Sequence, residues 1–195
     1  MNSGAVTDAL RDIARTLPRC GVRFALVGGL AVSIRGEVRF TRDVDVAVDV
    51  EDDTAAETLI RELQHRGYVV RAIVEDERRG RLSTIRLRSP AGPVVDLLAA
   101  SSGVEREIVA RAEPVEIDGV GVVPTARAEE LLALKVLSMS DARPQDLIDA
   151  GNLVAVNPDL DLVAVRALLA RIAERGFDRE QDLNAKLERV LKRDG

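Results

Sequence analysis

Aromatic side chains, cysteine and histidine are all scarce in this sequence. Aromatic residues make up 2% of the 195 residues and tryptophan is absent, so the core must consist of valine, leucine, isoleucine and alanine. The one cysteine, Cys20, permits no internal disulfide, and we interpret it as a small buried residue rather than a nucleophile. The one histidine, His65, lies near the end of a predicted helix and receives no chemical role. A disulfide-stabilised fold is therefore excluded.

Long apolar runs and an excess of positive charge are also missing. No run approaches the length of a membrane span, and Met1–Leu10 lacks the basic and apolar regions of a signal peptide. We therefore expect no membrane partner, and the single cysteine makes a reducing cytoplasm the expected location. The net charge of −5 argues against global attraction to nucleic acid but leaves room for a local basic face. With 46% hydrophobic and 31% charged residues, the chain is globular.

One stretch, Phe24–Val50, organises the rest of the chain. Phe24–Val27 is a short apolar run that indicates a buried strand, and Gly28-Gly29 separates it from a short predicted helix. A turn of this kind leaves the backbone N–H groups at the helix start unpaired, with no side chain in front of them. It is therefore suited to binding a phosphate.

Two aspartates follow in a segment that alternates strictly with valine. Asp43 and Asp45 lie on one face of the predicted strand, while Val44 and Val46 lie on the other. At about 6–7 Å their repulsion is roughly 2–3 kcal/mol. A divalent cation reverses the sign of that interaction, and Mg²⁺ is usual where phosphates share the coordination. We interpret the pair as metal ligands; the alternative is an edge strand with polar outward positions.

A third carboxylate lies inside another apolar run, Pro93–Leu98. An aspartate in such a run needs a partner, because burial of an unpaired carboxylate is unfavourable by several kcal/mol. We predict that Asp96 is a third metal ligand on a neighbouring strand. The alternative is a carboxylate that pairs with a buried arginine.

The lysines are distributed unevenly. Of 28 basic residues only three are lysines, and Lys135 is the one that lies within an apolar helical stretch. A compact ammonium at this position fits a point charge that binds a triphosphate. A surface lysine whose stem lies along apolar neighbours is the alternative.

The densest basic feature is a predicted hairpin that carries five arginines. They are Arg78, Arg79, Arg81, Arg86 and Arg88. Arginines one hairpin apart can line a single face and contact an RNA backbone or a triphosphate. A solvated hairpin tip is the alternative.

The chain predicts an α/β (α+β) fold in two parts. Both helices and strands are predicted up to Pro124, and everything after it is helical, beginning with a helix that Thr125 can cap. We therefore expect a domain over residues 1–124 and a helical domain over residues 125–195. Without an internal repeat or a low-complexity linker, the two parts should pack on each other.

The central motif resembles that of a known superfamily. A Gly-Gly turn followed by Asp-x-Asp on a strand is similar to the signature of polymerase-beta-type nucleotidyltransferases. A longer pattern resembles the AbiEii-type nucleotidyltransferase toxins, which include the MenT toxins. That pattern consists of Gly28, Gly29, Leu30, Ala31, Gly36, Arg39, Thr41, Asp43 and Asp45. The resemblance implies a mixed sheet flanked by helices.

The resemblance extends to a second segment after Lys135. AbiEii-type proteins have a helix that ends in lysine, a loop, and then Arg-x-Lys-Asp-x-x-Asp. Here Arg143, Asp146 and Asp149 match, but Gln145 stands where lysine is expected. The resemblance implies that Lys135 and Asp146 are catalytic together with the aspartate pair. On chemical grounds alone, Asp146 could be an ordinary acid near a helix start.

The activity implied by the resemblance is transfer of NMP from an NTP to an acceptor hydroxyl. Mg²⁺, or Mn²⁺ in its place, would bind the aspartates, and Gly28, Gly29, Arg39, Thr41 and Lys135 would bind the nucleotide. By family analogy the acceptor is the 3′ end of tRNA, and the protein is a bacterial toxin relieved by a cognate antitoxin protein.

Two other functions remain open at this point. The same chemistry could modify a small molecule, such as an aminoglycoside, or a protein. A non-catalytic nucleotide-binding partner protein is the second possibility, although the intact carboxylates argue against it.

Overall fold

The computed structural model describes residues 3–192, and within this range it contains seven strands and eight helices. The strands form one sheet in the order β3-β4-β5-β2-β1-β7-β6. In chain order they are β1 (Phe24–Val27), β2 (Asp43–Val48), β3 (Val69–Asp76), β4 (Arg81–Arg88), β5 (Val94–Leu98), β6 (Glu113–Ile117) and β7 (Gly121–Thr125). The mixed sheet with flanking helices confirms the predicted α/β fold.

The helices lie between the strands and after the last one. They are α1 (Ser3–Arg19), α2 (Gly28–Arg35), α3 (Asp53–His65), α4 (Glu105–Arg111), α5 (Ala128–Ser138), α6 (Pro144–Val156), α7 (Leu162–Glu174) and α8 (Leu183–Leu191). None of the helices within the described range is both long and apolar enough to cross a membrane. His65 is exposed in the last turn of α3.

The three strands in the middle of the sheet place the predicted carboxylates. Strand β2 pairs antiparallel with β1 and parallel with β5, so Asp45 lies opposite Val27 on one side and Asp96 on the other. All four residues of β1 are buried, as are Val44 and Val46 of β2. The alternation predicted for β2 is therefore present, and its apolar face belongs to the core. A central position excludes the edge-strand alternative for the aspartate pair.

The helices after β7 pack onto the rest of the molecule. Helix α2 contacts both β2 and the pair α5 and α6, and these two contact each other. The predicted cap is wrong: Thr125 is the buried last residue of β7, and Arg127 precedes α5. The β7–β1 pairing explains this, since it extends the strand past Pro124. The boundary between residues 124 and 125 stays a prediction.

Candidate active site

The turn between β1 and α2 has no room for side chains. Gly28 has a φ of +65°, and a Cβ atom there would lie 2.0 Å from Oδ2 of Asp45. A Cβ atom on Gly29 would lie 2.6 Å from Nη2 of Arg39 and 2.9 Å from Oγ1 of Thr41. Helix α2 begins here without a side-chain cap. Glycine is therefore required at this turn, and the start of α2, where the Gly29 N–H donates to Asp45, faces the cavity.

The aspartate pair forms one wall of a cavity of about 620 Å³. Asp43 and Asp45 both line it, together with Asp96 from the adjacent strand. Burial, together with the charges of Asp96 and Asp43, raises the pKa of Asp45 to about 6, even though Lys135 and the Gly29 N–H act to lower it. Excess negative charge is thus concentrated here, and a bound cation would neutralise it.

The carboxylates suit a metal that is bound jointly with a substrate. No three acidic, histidine or cysteine side chains among residues 3–192 are arranged to hold a metal ion by themselves. Mg²⁺ is usually held by one or two carboxylates plus substrate phosphates rather than by an all-protein cage. The pair Asp43 and Asp45, facing the cavity beside the glycine turn, fits that mode of binding.

Asp96 lies beside the pair but is bound to an arginine. Arg86 donates to both of its carboxylate oxygens, at 2.9 Å from Nε and 2.6 Å from Nη2. Asp96 is buried and Arg86 lines the same cavity. The alternative of an arginine-paired carboxylate therefore describes this structure, although the arginine is half-exposed. As a metal ligand Asp96 stays a prediction, and it would first have to leave Arg86.

Lys135 is buried and held between two aspartates. Its Nζ atom lies 2.7 Å from Oδ1 of Asp146 and 2.7 Å from Oδ2 of Asp149. With 9% of its surface exposed, Lys135 is not a lysine that reaches to solvent, which excludes the surface alternative. Asp146 is likewise not an ordinary surface acid, since it is buried against this ammonium.

Asp149 connects the ammonium to the loop before β2. Arg39 donates to Oδ2 of Asp149 at 2.9 Å, and Gln145 donates to Oδ1 at 2.9 Å. Burial tends to raise the pKa of Asp149, but hydrogen bonds from Gln145 and Lys135 outweigh it and lower the pKa. Gln145 thus supplies a neutral donor at the position where the family pattern has lysine.

The hairpin arginines do not form a single face. Arg78 pairs with Glu180, and Arg81 pairs with Asp53 at 2.9 Å. Arg79 binds the carbonyls of Arg175 and Gly176. The other two lie on the same strand: Arg86 points into the cavity, and Arg88 is exposed.

Several further residues line or shape the cavity. Arg143 lies 3.0 Å from Oδ2 of Asp146, and Arg179 reaches the cavity from the α7–α8 connection. Ser33 accepts a hydrogen bond from the Arg39 N–H at 3.3 Å and donates to the Gly29 carbonyl at 3.0 Å. Arg143 belongs to the matched motif and could have been found there. Nothing in the local sequence marks Arg179.

One cavity thus contains the glycine turn, the aspartate pair of β2 and the buried Lys135. The mixed sheet that surrounds it has the nucleotidyltransferase fold. The chain belongs to the AbiEii nucleotidyltransferase toxin family: the family model described as "Nucleotidyl transferase AbiEii toxin, Type IV TA system" matches residues 11–194. The resemblance seen in the sequence is therefore confirmed, and the protein is an enzyme of this class.

Solved structures share the fold. An antigenic nucleotidyltransferase-like protein from Paracoccidioides brasiliensis is 19% identical, with a TM-score of 0.51 over 96% of this chain and 94% of that one. The lincosamide antibiotic adenylyltransferase LnuA is 17% identical, with a TM-score of 0.50 over 76% of this chain and 96% of that one. The antibiotic-resistance factor ANT(2'')-Ia is 15% identical, with a TM-score of 0.50 over 98% of each chain. At these identities the likeness shows the fold alone. Among curated proteins, no sequence matches this chain significantly.

Proposed function

We propose that this protein transfers NMP from an NTP to the 3′ end of tRNA in a divalent-metal-dependent reaction. It acts in the cytoplasm as the toxin of a toxin–antitoxin system and has a cognate antitoxin protein as its partner. The observation that carries the proposal is the placement of Asp43 and Asp45 in the same cavity as the uncapped start of α2.

The aspartate pair would hold the metal. Asp43 and Asp45 would bind Mg²⁺, with Mn²⁺ as a substitute, and Asp96 would join them once it is released from Arg86. When bound, the metal lowers the pKa of the acceptor hydroxyl and stabilises negative charge on the phosphate oxygens. The acceptor hydroxyl would release its proton to solvent and its oxygen would attack the α-phosphorus. The bond between that phosphorus and the oxygen that bridges to the β-phosphate would break, and pyrophosphate would leave.

Backbone N–H groups and Lys135 would hold the triphosphate. Gly28 and Gly29 present donors at the start of α2, where the helix dipole favours an anion. The Lys135 ammonium has three donors. Asp146 and Asp149 accept from two of them, so one remains for a phosphate oxygen. Asp146 acts by positioning this ammonium.

The loop before β2 supports the nucleotide from the other side. Arg39 and Thr41 both line the cavity and lie close to Gly29. Because Arg39 also binds Asp149, one guanidinium links the glycine turn to the carboxylates around Lys135. We propose that Arg39 and Thr41 fix the nucleotide relative to the metal pair.

RNA would approach through the arginines that remain unpaired. Arg88 is exposed, and no carboxylate of the described residues lies within ion-pair distance of it. Arg78, Arg79 and Arg81 are engaged by carboxylates or carbonyls, so their contact with RNA would require these partners to be exchanged. We propose Arg88 as the first RNA contact of this group.

The acceptor can be tested with labelled NTP offered to total RNA and total protein together. We expect label in tRNA, and oxidation of the tRNA 3′-terminal ribose with periodate should abolish it because the acceptor hydroxyl is destroyed. Label in protein, or in an added aminoglycoside or lincosamide, would contradict the tRNA assignment and leave the transfer chemistry in place. Absence of label in every acceptor, with NTP binding retained, would indicate a non-catalytic nucleotide-binding protein.

A further inference from the structure

Two arginines converge on the cavity beside Asp146, from parts of the chain that are distant in sequence. Arg143 precedes α6 and Arg179 lies in the α7–α8 connection, and both line the cavity. Asp146 separates them from Lys135: its Oδ1 atom binds Lys135, and its Oδ2 atom lies near Arg143. The two guanidinium groups therefore occupy a place distinct from the donors assigned above to Lys135.

The positive charge at this place is incompletely neutralised. Within residues 3–192, no carboxylate lies within ion-pair distance of Arg179, and the one near Arg143 is shared with Lys135. Burial, and secondly the charge of Arg143, lower the pKa of Arg179. Lys186 adds a further positive charge nearby, and the pKa of Lys186 is lowered by burial and by Arg179. Neighbouring like charges of this kind favour a bound anion.

The loop that carries Arg179 is held in an unfavourable conformation. Arg179 and Glu180 have φ values of 57° and 59°, a left-handed conformation that disfavours residues other than glycine by about 1–2 kcal/mol each. Such conformations persist where the surrounding contacts determine them, and they cluster at functional sites. This turn is therefore a candidate for a functional position rather than an ordinary loop.

Contacts from the β3–β4 hairpin and from α4 fix this loop. Arg78 pairs with Glu180 at 2.8 Å. Arg79 binds the Arg175 carbonyl at 3.0 Å and stacks 3.9 Å from the ring centre of Phe177. A Cβ atom on Gly103 would lie 2.4 Å from Phe177, so the ring packs directly on the backbone before α4. Arg78 and Arg79 thus hold in place the loop that carries Arg179.

We propose that Arg143 and Arg179 form a second phosphate subsite, which binds a phosphate of the substrates other than the one at Lys135. Two guanidinium groups offer paired donors that match phosphate geometry. The inference rests on the proposed function for the nature of the substrates, a nucleotide and a nucleic-acid acceptor. Either the terminal phosphates of the nucleotide or a phosphodiester of the acceptor can supply the group.

Binding of two probes by isothermal titration calorimetry tests the subsite and its source. The probes are inorganic tripolyphosphate and a short single-stranded RNA with a free 3′-hydroxyl. Arg143→Gln and Arg179→Gln should each weaken at least one probe about tenfold. Loss confined to tripolyphosphate assigns the subsite to the nucleotide, and loss confined to RNA assigns it to the acceptor. Arg189→Gln is the matched control, since Arg189 is an exposed arginine on α8 that lines no part of the cavity.

The role of Arg79 in holding this loop is tested by a further variant and by hydrogen exchange. Arg79→Gln should weaken the same probe less than Arg179→Gln does, and it should increase amide hydrogen exchange in residues 175–181. Wild-type affinity for both probes in Arg143→Gln and Arg179→Gln would overturn the proposal. Probe binding by the wild type needs no turnover, so failure of NMP transfer would be seen separately and would not imitate this result.

Discussion

The charged form of the Asp45 carboxylate is unfavourable in the metal-free protein. Asp45 is half-buried beside two other carboxylates, and its pKa is raised from 3.8 to about 6. Between these pH values the folded protein holds a proton that the unfolded chain has released. The free energy of unfolding of the metal-free protein must therefore decrease, through this group, as the pH rises from about 4 to about 6.

Asp45→Asn should stabilise the metal-free protein above that pH range. The amide cannot ionise, so the variant avoids the unfavourable charge, and the gain should reach at most about 3 kcal/mol at pH 7–8. Below pH 4 the difference should disappear. Urea unfolding in EDTA across this pH range measures it, with Asp141→Asn at an exposed position as the control. A variant less stable than wild type at pH 8 would show that the carboxylate has a structural role.

Lys135 should contribute to stability as well as to nucleotide binding. Lys135→Met leaves two buried carboxylates without their ammonium, and the free energy of unfolding should fall by about 3–5 kcal/mol. Adding Asp146→Asn should recover at least about 1 kcal/mol. Urea denaturation with unchanged m-value provides these quantities.

An exposed ion pair calibrates that result. Arg166 and Glu188 form a pair between α7 and α8 with each side chain nearly half-exposed, and its coupling energy should stay below about 1 kcal/mol. Equal coupling energies for the Lys135–Asp146 pair and the Arg166–Glu188 pair would contradict the view that the Lys135 ammonium is held in a desolvated network.

The junction of β1 and α2 is the element on which the site depends most closely. Gly28 and Gly21 both have positive φ values, of 65° and 73°, but a Cβ atom on Gly21 meets nothing within 4 Å. Gly21→Ala should therefore lower the free energy of unfolding only by the cost of the left-handed conformation, about 1–2 kcal/mol. Gly28→Ala should lower the free energy of unfolding by the same conformational cost. It should also displace Asp45, because the new methyl group overlaps its carboxylate.

Activity separates the two glycine variants. Gly28→Ala should lower NMP transfer at least about 100-fold, since small misplacements of catalytic groups have effects of that size. Gly21→Ala should transfer at the wild-type rate at temperatures below its unfolding transition. Thermal unfolding and transfer rates on both proteins test this, and equal activity would contradict the close approach of Gly28 to Asp45.

Local sequence was sufficient to predict this element but not its surroundings. The apolar run, the glycines and the alternation of β2 each involve neighbours in the chain, so their pattern indicates the strand–turn–helix–strand unit directly. The Arg86–Asp96 pair depends on which strands are adjacent and in what register. A sequence pattern fixes neither quantity, so it cannot identify the partner of Asp96.

At the scale of the whole molecule, the β3–β4 hairpin is attached to a part of the chain that is distant in sequence. Arg78 and Arg79 connect β3 and β4 to the loop after α7, far away in sequence. Charge density alone indicated a nucleic-acid contact because the partners of these arginines lie about a hundred residues later. Arg179 escaped detection for the same reason, since its place at the cavity depends on long-range packing.

The salt dependence of transfer to RNA should distinguish the unpaired Arg88 from the ion-paired Arg78 and Arg81. Arg88→Gln should reduce the steepness of the log–log salt dependence of RNA transfer by roughly 0.7–0.9, the value for one phosphate contact. Arg78→Gln and Arg81→Gln should change that slope less and should instead lower the unfolding temperature, because each breaks an ion pair within the protein. An unchanged slope in Arg88→Gln would remove Arg88 from the RNA-binding surface.

Pyrophosphate release is the most direct test of the central claim, that the aspartate pair on β2 carries a metal-dependent nucleotidyl transfer. With NTP and total tRNA, the wild-type protein should release pyrophosphate in Mg²⁺ or Mn²⁺ and should stop on addition of EDTA. Asp43→Asn and Asp45→Asn should each release none above background while remaining folded, and Asp141→Asn should match wild type. Release that persists in EDTA or in either aspartate variant would contradict the claim.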